Sequence, residues 1–410
     1  MKTTSPIILS LNGGSSSIRF AIYRLEAMLE RLLHGKLDRI GTDHARLTFS
    51  HGDGQTHEQH CEDTNDYPSA VASLVKWIYA QEIFVSISAI GHRVVHGMHH
   101  LSPEIVTQEL IDELRNIALI DPEHMPDELD LIEAFRARVP TLPQVVCFDT
   151  TFHQHMPNVA TTLAIPRRYS ENGIRRYGFH GLSYAYLMEE LERIDGGGNA
   201  SAAPTTHRRV ILAHLGHGAS MTAVQDGKSI DTTMGFTPAS GLPMGTRSGD
   251  IDPGLVAYLA RTEKMSPVQF AAMINHESGL LGVSETSSDI GDLLALEATD
   301  SRAAEAIALF CYQAKKQIGA YAAALGGLDT LVFAGGIGEN SAIVRERICA
   351  GPRFLGIELN ASRNEANADV ISTDTSQVAV RVIRTDEELI IARFVCRVLG
   401  YTSQTGELQP

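Results

Sequence analysis

Along the whole chain, short apolar runs alternate with longer stretches whose apolar residues recur every three or four positions. Uninterrupted apolar runs suit strands buried on both faces, and three-to-four spacing suits helices with one face on a core, so the alternation predicts an α/β protein. The runs predict strands at Ile7–Leu11, Ile18–Tyr23, Ile87–Val95, Gln144–Phe148, Arg209–His214 and Thr330–Ala334. The spacing predicts helices over Pro68–Tyr79, Pro103–Ala118, Asp127–Arg138, Ser183–Ile194, Ala303–Leu325 and Asn340–Ala350.

One internal similarity organises these elements. Ile7–Ile22 (IILSLNGGSSSIRFAI) aligns without gaps to Val210–Gln225 (VILAHLGHGASMTAVQ), each reading as strand, glycine-rich turn, strand. Two such hairpins predict two domains of similar topology, each offering a tight turn to a shared cleft; two unrelated hairpins are the alternative. The segment DGGGNASAAPTTH, residues 195–207, reads as a flexible inserted surface loop.

Composition narrows the class. The 410 residues are 43% hydrophobic, enough for a large core and two or three domains. The start of the chain has too short an apolar stretch for an export signal or a membrane span. Five scattered cysteines without a CxxC read as reduced thiols of a cytoplasmic protein. A formal charge of −15 disfavours nucleic acid as a partner and leaves room for a small anion where arginines converge.

Three glycine-rich turns follow strands, at Asn12–Ser17, Gly216–Ser220 and Gly335–Asn340. Glycine permits the close backbone approach that lets N–H groups point at phosphate oxygens. None is a GxxxxGK[ST] loop or a GxGxxG fingerprint, but together they point to a nucleotide. The stretch Gly235–Gly254 holds five glycines, three prolines, Arg247, Asp250 and Asp252, and reads as a site loop. Arg247, and Arg93 in GHRVVHG, are candidates for gripping a carboxylate or phosphoryl group, against the ordinary reading of any single arginine as a solvated charge. The 17 histidines come without HExxH or CxxC, so a cation site rich in carboxylates suits Mg²⁺ better than Zn²⁺. His180, close between Gly178 and Gly181, has the placement of a hydrogen-bonding ligand group, and Asp149 at the end of an apolar strand is a site carboxylate or a turn cap.

These motifs together resemble the acetate kinase (acetokinase) family, within the superfamily of sugar kinases, heat-shock ATPases and actin. The resemblance rests on NGGSSS, GHRVVHG, DTTFH, YGFHGLSY, HLGHGAS, GFTPASGLPMGTRSGDIDPG, SGLLG with a later SSD, FAGGIGENS and TDEEL. It implies duplicated ribonuclease H-like domains with a cleft between them: residues 1–150 completed by 386–410, and a nucleotide-binding domain over 151–385. It implies a homodimer that transfers phosphoryl from ATP to acetate with Mg²⁺, Mn²⁺ being an alternative ion. By the same resemblance Asp149, His180, Arg247 and Arg93 are catalytic, and Arg93, His124, Phe179 and Pro238 contact the carboxylate substrate. The nucleotide lies against Arg19, His214, Leu215, Gly216, His217, Gly218, Asp289, Gly336, Ile337, Gly338, Glu339 and Asn340, and Asn12 and Glu387 belong to the metal site.

The chemistry stands without the name. A small carboxylate is already ionised at neutral pH and needs no general base, so catalysis falls to neutralising the charge of two anions and aligning them. Four positions depart from the family pattern: Arg19 replaces lysine, His217 asparagine, Gly291 arginine, and Glu123, in Ile120–Pro126, an apolar residue of the substrate pocket. They keep open propionate, butyrate or another carboxylate as acceptor and pyrophosphate as donor. Glu123 is expected to pair with a cation such as His124 or to meet a polar substrate group. A nucleotide-gated binding protein without turnover is the reading from another class.

Overall fold

Ile8, Leu9 and Leu11 are wholly shielded from water because the strand they form, β1 (Ile7–Gly14), lies inside a sheet with helices on both faces. Alternate side chains go to opposite faces. Leu9 and Leu11 join a core made with helices Tyr67–Tyr79 and Met125–Arg138, and Ile8 joins one made with helix Glu387–Leu399. The computed structural model describes residues 5–402 apart from 15, 43, 53, 62–63 and 197–207, so the inserted loop at 195–207 falls almost wholly outside the described residues. The chain divides into two compact units: unit 1 is residues 1–151, 181–186 and 386–410, and unit 2 is residues 152–180 and 187–385.

The sheet of unit 1 contains, besides β1, β2 (Ser17–Leu25), β3 (Leu29–Asp38), β4 (Arg46–His51), β5 (Thr56–His60), β6 (Ile87–Val94), β7 (Glu104–Ile105) and β8 (Gln144–Phe148), in the order 5-4-3-2-1-6-8-7. Unit 2 contains β9 (Arg209–Leu215), β10 (Ala219–Gln225), β11 (Lys228–Thr232), β12 (Thr330–Ala334) and β13 (Ala379–Val382), in the order 11-10-9-12-13. In each sheet an antiparallel meander is continued by two parallel strands, 3-2-1-6-8 matching 11-10-9-12-13 in order and direction. This is the duplicated ribonuclease H-like core. The gapless alignment of the two hairpins does not survive in their pairing: Gly14 faces Ser17 across the first turn, whereas Leu215 faces Ala219 across the second, which is one residue longer.

One predicted helix and one predicted turn are corrected. Pro103–Ala118 splits into β7 and a helix Gln108–Ile117, whose first turn is capped by Thr107 accepting from the Leu110 N–H at 3.1 Å. Gly335–Asn340, read as a turn, is a short helix; the backbone breaks at Ser341 before the next helix, Ala342–Cys349.

Helix Glu387–Leu399 carries TDEEL to the sheet. Asp386 caps it, its carboxylate accepting from the Leu389 N–H at 3.0 Å, and Glu387 and Glu388 fill the first turn, where the helix dipole favours acids. It lies flat on β6 because position 91 has no side chain; a Cβ there would collide with Ile391 and Val395. Gly91→Ala should therefore overpack this contact, costing about 1–3 kcal/mol and disturbing the acids of the first turn. Thermal denaturation together with kcat is the check; an unchanged Tm would show that the helix yields freely.

Candidate active site

In unit 1, Arg93 near the end of β6 and Asp149 just past β8 are brought side by side by the parallel β6–β8 register. Arg93 donates from Nε and Nη2 to Asp149 Oδ2 at 3.0 and 2.7 Å, and from Nη1 to Glu128 Oε1 at 2.9 Å and the Gly13 carbonyl at 3.1 Å. Glu128, on helix Met125–Arg138, accepts with its other oxygen from the Val95 N–H at 2.8 Å. Asp149 and Glu128 are almost fully buried. Burial works against the Arg93 charge, but Asp149 and Glu128 outweigh it and raise its pKa. On the β1–β2 ladder Asn12 faces Arg19, and Asn12 Nδ2 donates to Glu387 Oε2 at 2.8 Å and Glu388 Oε1 at 3.2 Å.

Burial pushes the Glu128 carboxyl up to about 8, with Arg93 and the Val95 N–H opposing. A carboxyl raised on folding favours the fold below its ordinary value of 4.5, and that contribution is lost as pH rises through the window to about 8. Glu128→Gln should flatten the fall of Tm across this window. Calorimetry of both proteins from pH 5 to 8 decides it, and parallel curves would remove Glu128 as the cause.

The same end of unit 1 suits a hard cation. Asn12, Asp149, Glu387 and Glu388 offer oxygens, and Asp149 Oδ1 is buried with no hydrogen-bond partner among the described residues. Burial first, then the facing Asp149, raises the Glu387 carboxyl, a repulsion that a divalent ion would relieve. Nearby, His124 Nδ1 sits 2.9 Å from Asp121 Oδ1, at the start of helix Met125–Arg138. The carboxylate on that nitrogen is thus Asp121, while Glu123 lies exposed.

In unit 2, His180 stands in a left-handed backbone conformation (φ 59°) after Gly178 (φ 79°), where a Cβ would crowd Thr232 and His153. The buried His153 fixes this turn, its Nε2–H donating to the Phe179 carbonyl at 3.1 Å while Ser229 Oγ lies 2.8 Å from Nδ1. His180 Nδ1 meets Ser220 Oγ at 2.8 Å, and its ring stacks on His214 at 4.3 Å. Its Nε2 faces Gly218, where a Cβ would come within 3.3 Å.

The turn Gly216–Gly218 and the helix Gly335–Asn340 occupy the same end of unit 2, at the carboxyl ends of the parallel strands β9 and β12. Gly335 has φ 75°, and a Cβ there would clash with the Leu215 backbone. Glu339 Oε1 accepts from the N–H groups of Gly335 at 2.9 Å and Thr385 at 3.1 Å, and Asn340 Nδ2 donates to the Gly336 carbonyl at 2.9 Å. Leu215 and Ile337 are buried, and so is Gly338, which leaves backbone groups to meet a ligand here.

Arg247 Nη1 donates to the Pro238 carbonyl at 3.3 Å and contacts Met244 Sδ at 3.8 Å. The His217 ring reaches solvent, yet desolvation first and Arg247 second hold its pKa below the ordinary imidazole value, Asp289 opposing. Its ring rests where a Cβ at Gly245 would be 2.5 Å away. Asp289 caps the helix Ile290–Leu296, accepting from the Gly291 N–H at 2.7 Å and the Asp292 N–H at 3.2 Å.

The predicted residues therefore fall into two groups. Asn12, Arg19, Arg93, His124, Asp149 and Glu387 belong to unit 1; Phe179, His180, the 214–218 turn, Pro238, Arg247, Asp289 and the 336–340 segment belong to unit 2. Sequence reasoning assigned no role to Glu128, Glu388, Asp121 or Ser220. Glu388 lies in TDEEL, Ser220 ends the turn Gly216–Ser220 and Asp121 falls in Ile120–Pro126, whereas Glu128 lies in no motif.

A duplicated ribonuclease H-like fold, with an arginine–carboxylate group in one unit and glycine-rich strand ends in the other, defines an α/β phosphotransferase. The acetokinase family model matches residues 7–393. The chain is 43% identical over 402 residues to an acetate kinase of Rhodopseudomonas palustris, covering 96% of this chain and 98% of that one. It is 42% identical over 401 residues to a propionate kinase of Citrobacter rodentium, covering 95% and 96%. The crystal structure of Porphyromonas gingivalis acetate kinase superposes with a TM-score of 0.84 at 34% identity, covering 96% of this chain and all of that one. The chain belongs to the acetokinase family.

Proposed function

We propose that this protein is an acetate kinase, transferring the terminal phosphoryl group of ATP reversibly to acetate to give acetyl phosphate and ADP. One observation carries the chemistry: Arg93, desolvated and gripped by two buried carboxylates, beside the acids of the helix Glu387–Leu399. The near full-length similarity to an acetate kinase supports the acceptor.

The acceptor carboxylate attacks as it stands, so no residue needs to remove a proton. Arg93 and Arg247 supply fixed positive charge for the acceptor and the equatorial phosphoryl oxygens. His180, its Nδ1 tied to Ser220, turns Nε2 toward the phosphoryl group in transit. Asp149 orients Arg93 and the metal rather than taking a proton. His124, Phe179 and Pro238 bound the acceptor, and the backbone of 214–218 and 336–340, with Arg19 and Asp289, serves the nucleotide. Asn12, Asp149 and Glu387 would hold Mg²⁺, which when bound neutralises phosphate charge. A homodimer in the cytoplasm belongs to the same reading; the five free cysteines agree with a reducing compartment, and sedimentation velocity tests the dimer.

Acyl phosphate formation, measured with acetate, propionate and butyrate against ATP and pyrophosphate, tests the reading. The highest kcat/KM is expected with acetate and ATP. A propionate preference would favour the second reading, which the 42% identity to a propionate kinase supports. Ser220→Ala should lower kcat about tenfold with little change in KM, since it releases the His180 ring without removing it. Unchanged kcat would exclude the tie.

A further inference from the structure

We propose that unit 1 carries a binding site for a zinc-class divalent ion, built from His99, His100 and Glu113 and separate from the residues proposed for magnesium. The three side chains come from the turn after β6 and from helix Gln108–Ile117. Each offers one ligand atom, and these atoms lie within 4.8 Å of one another. Glu113 Oε2 is 3.3 Å from His100 Nε2 and 3.7 Å from His99 Nε2. Metal–nitrogen bonds of about 2.0–2.1 Å in a tetrahedron set neighbouring ligand atoms about 3.4 Å apart, so the spacing needs only a slight adjustment.

The state of His100 is the second observation. Its side chain is 7% exposed, and Nε2 is buried without a hydrogen bond among the described residues although Glu113 Oε2 is near. The other ring nitrogen, Nδ1, lies 2.9 Å from Glu104 Oε1. A ring that donates Nδ1–H to that carboxylate and gives up its other proton presents Nε2 to the Glu113 side, the arrangement in which an outer carboxylate orients a metal-bound histidine. A cation bound between Nε2 and Glu113 Oε2 would replace the proton there and satisfy both atoms. Two imidazoles and one carboxylate select zinc, cobalt, nickel or copper over magnesium or calcium, and leave a fourth position for water.

The site has a route to the chemistry. The His100 ring stacks on Phe148 at 5.3 Å, and Phe148 precedes Asp149. A Cβ at Gly97 would crowd Phe148 at 2.8 Å, so the turn lies flat on the end of β8. An ion here ties that turn to helix Gln108–Ile117 and stiffens the support of Asp149.

The test uses untagged, full-length protein, stripped with chelator and held in excess Mg²⁺. Zn²⁺ is titrated by calorimetry, and Co²⁺ by its visible spectrum, which distinguishes tetrahedral from octahedral ligation. One equivalent with a tetrahedral cobalt spectrum is expected, with a Tm raised by Zn²⁺. His99→Ala and Glu113→Gln, both at exposed side chains, should each weaken binding at least about tenfold and abolish the Tm rise while leaving zinc-free activity intact. Glu104→Gln should weaken binding by a similar factor, and Asp149→Asn should leave it unchanged. The proposal falls if wild type shows no saturable binding, if both variants bind as wild type does, or if Asp149→Asn alone removes it.

Discussion

Arg93→Ala should lose at least about a hundredfold in kcat/KM and about 3–5 kcal/mol of stability together. The guanidinium is proposed to neutralise charge in a step that joins two anions, and it is also the counter-ion of Asp149 and Glu128, both desolvated. Its removal leaves the buried Asp149 carboxylate without its cation and takes from Glu128 the charge that holds its carboxyl down. Chemical denaturation and steady-state kinetics on one preparation read both effects. Because Glu128 then loses the charge that opposes its raised pKa, the variant should recover stability as pH falls from 8 toward 5. Arg93→Lys should restore part of the stability and little of the rate, since a single ammonium cannot span both carboxylates with the geometry of a fork. A folded Arg93→Ala protein with near-normal kinetics would remove this arginine from the machinery.

Arg247→Ala should show a comparable loss of rate. Its guanidinium donates to the Pro238 carbonyl and touches Met244. The rate loss, again at least about a hundredfold, follows from taking a cation away from phosphoryl oxygens whose charge spreads in a loose transition state. His217 gives a second readout. Arg247 helps to hold its pKa down, so the His217 titration should move up toward the ordinary imidazole value in the variant, measured by NMR. Full activity, or an unmoved His217, would contradict the assignment.

The elements that the sequence made legible are those buried on both sides. The strands β1, β2, β6, β8, β9 and β12 are apolar runs because helices or neighbouring layers cover them. The outer strand β5, THEQH, is exposed at every position and leaves no apolar signature. The turn of Pro103–Ala118 was hidden because Thr107 caps without the glutamate or glutamine three residues later that marks a helix start. The repeat of two hairpins was visible, but not their differing turn lengths, since register depends on backbone pairing. Among the site residues, those in glycine-rich motifs were legible. Glu128 was not: it sits among other acids on a helix, and only the fold turns it toward Arg93 rather than toward water.

Unit 1 is closed by a segment that lies far along the chain from its strands. The face of its sheet that holds Ile8, Ala89 and Val145 is covered by Ile390, Ile391 and Val395 of helix Glu387–Leu399. During synthesis the strands of residues 7–148 can pair early, yet that apolar face lacks this part of its cover until residues 387–399 leave the ribosome. Strands β1, β6 and β8 thus wait for cover from a segment far downstream in the chain. The same delay withholds Glu387 and Glu388, so a chain stopped short of helix Glu387–Leu399 would lack both this cover of its sheet and the acids proposed for its cation.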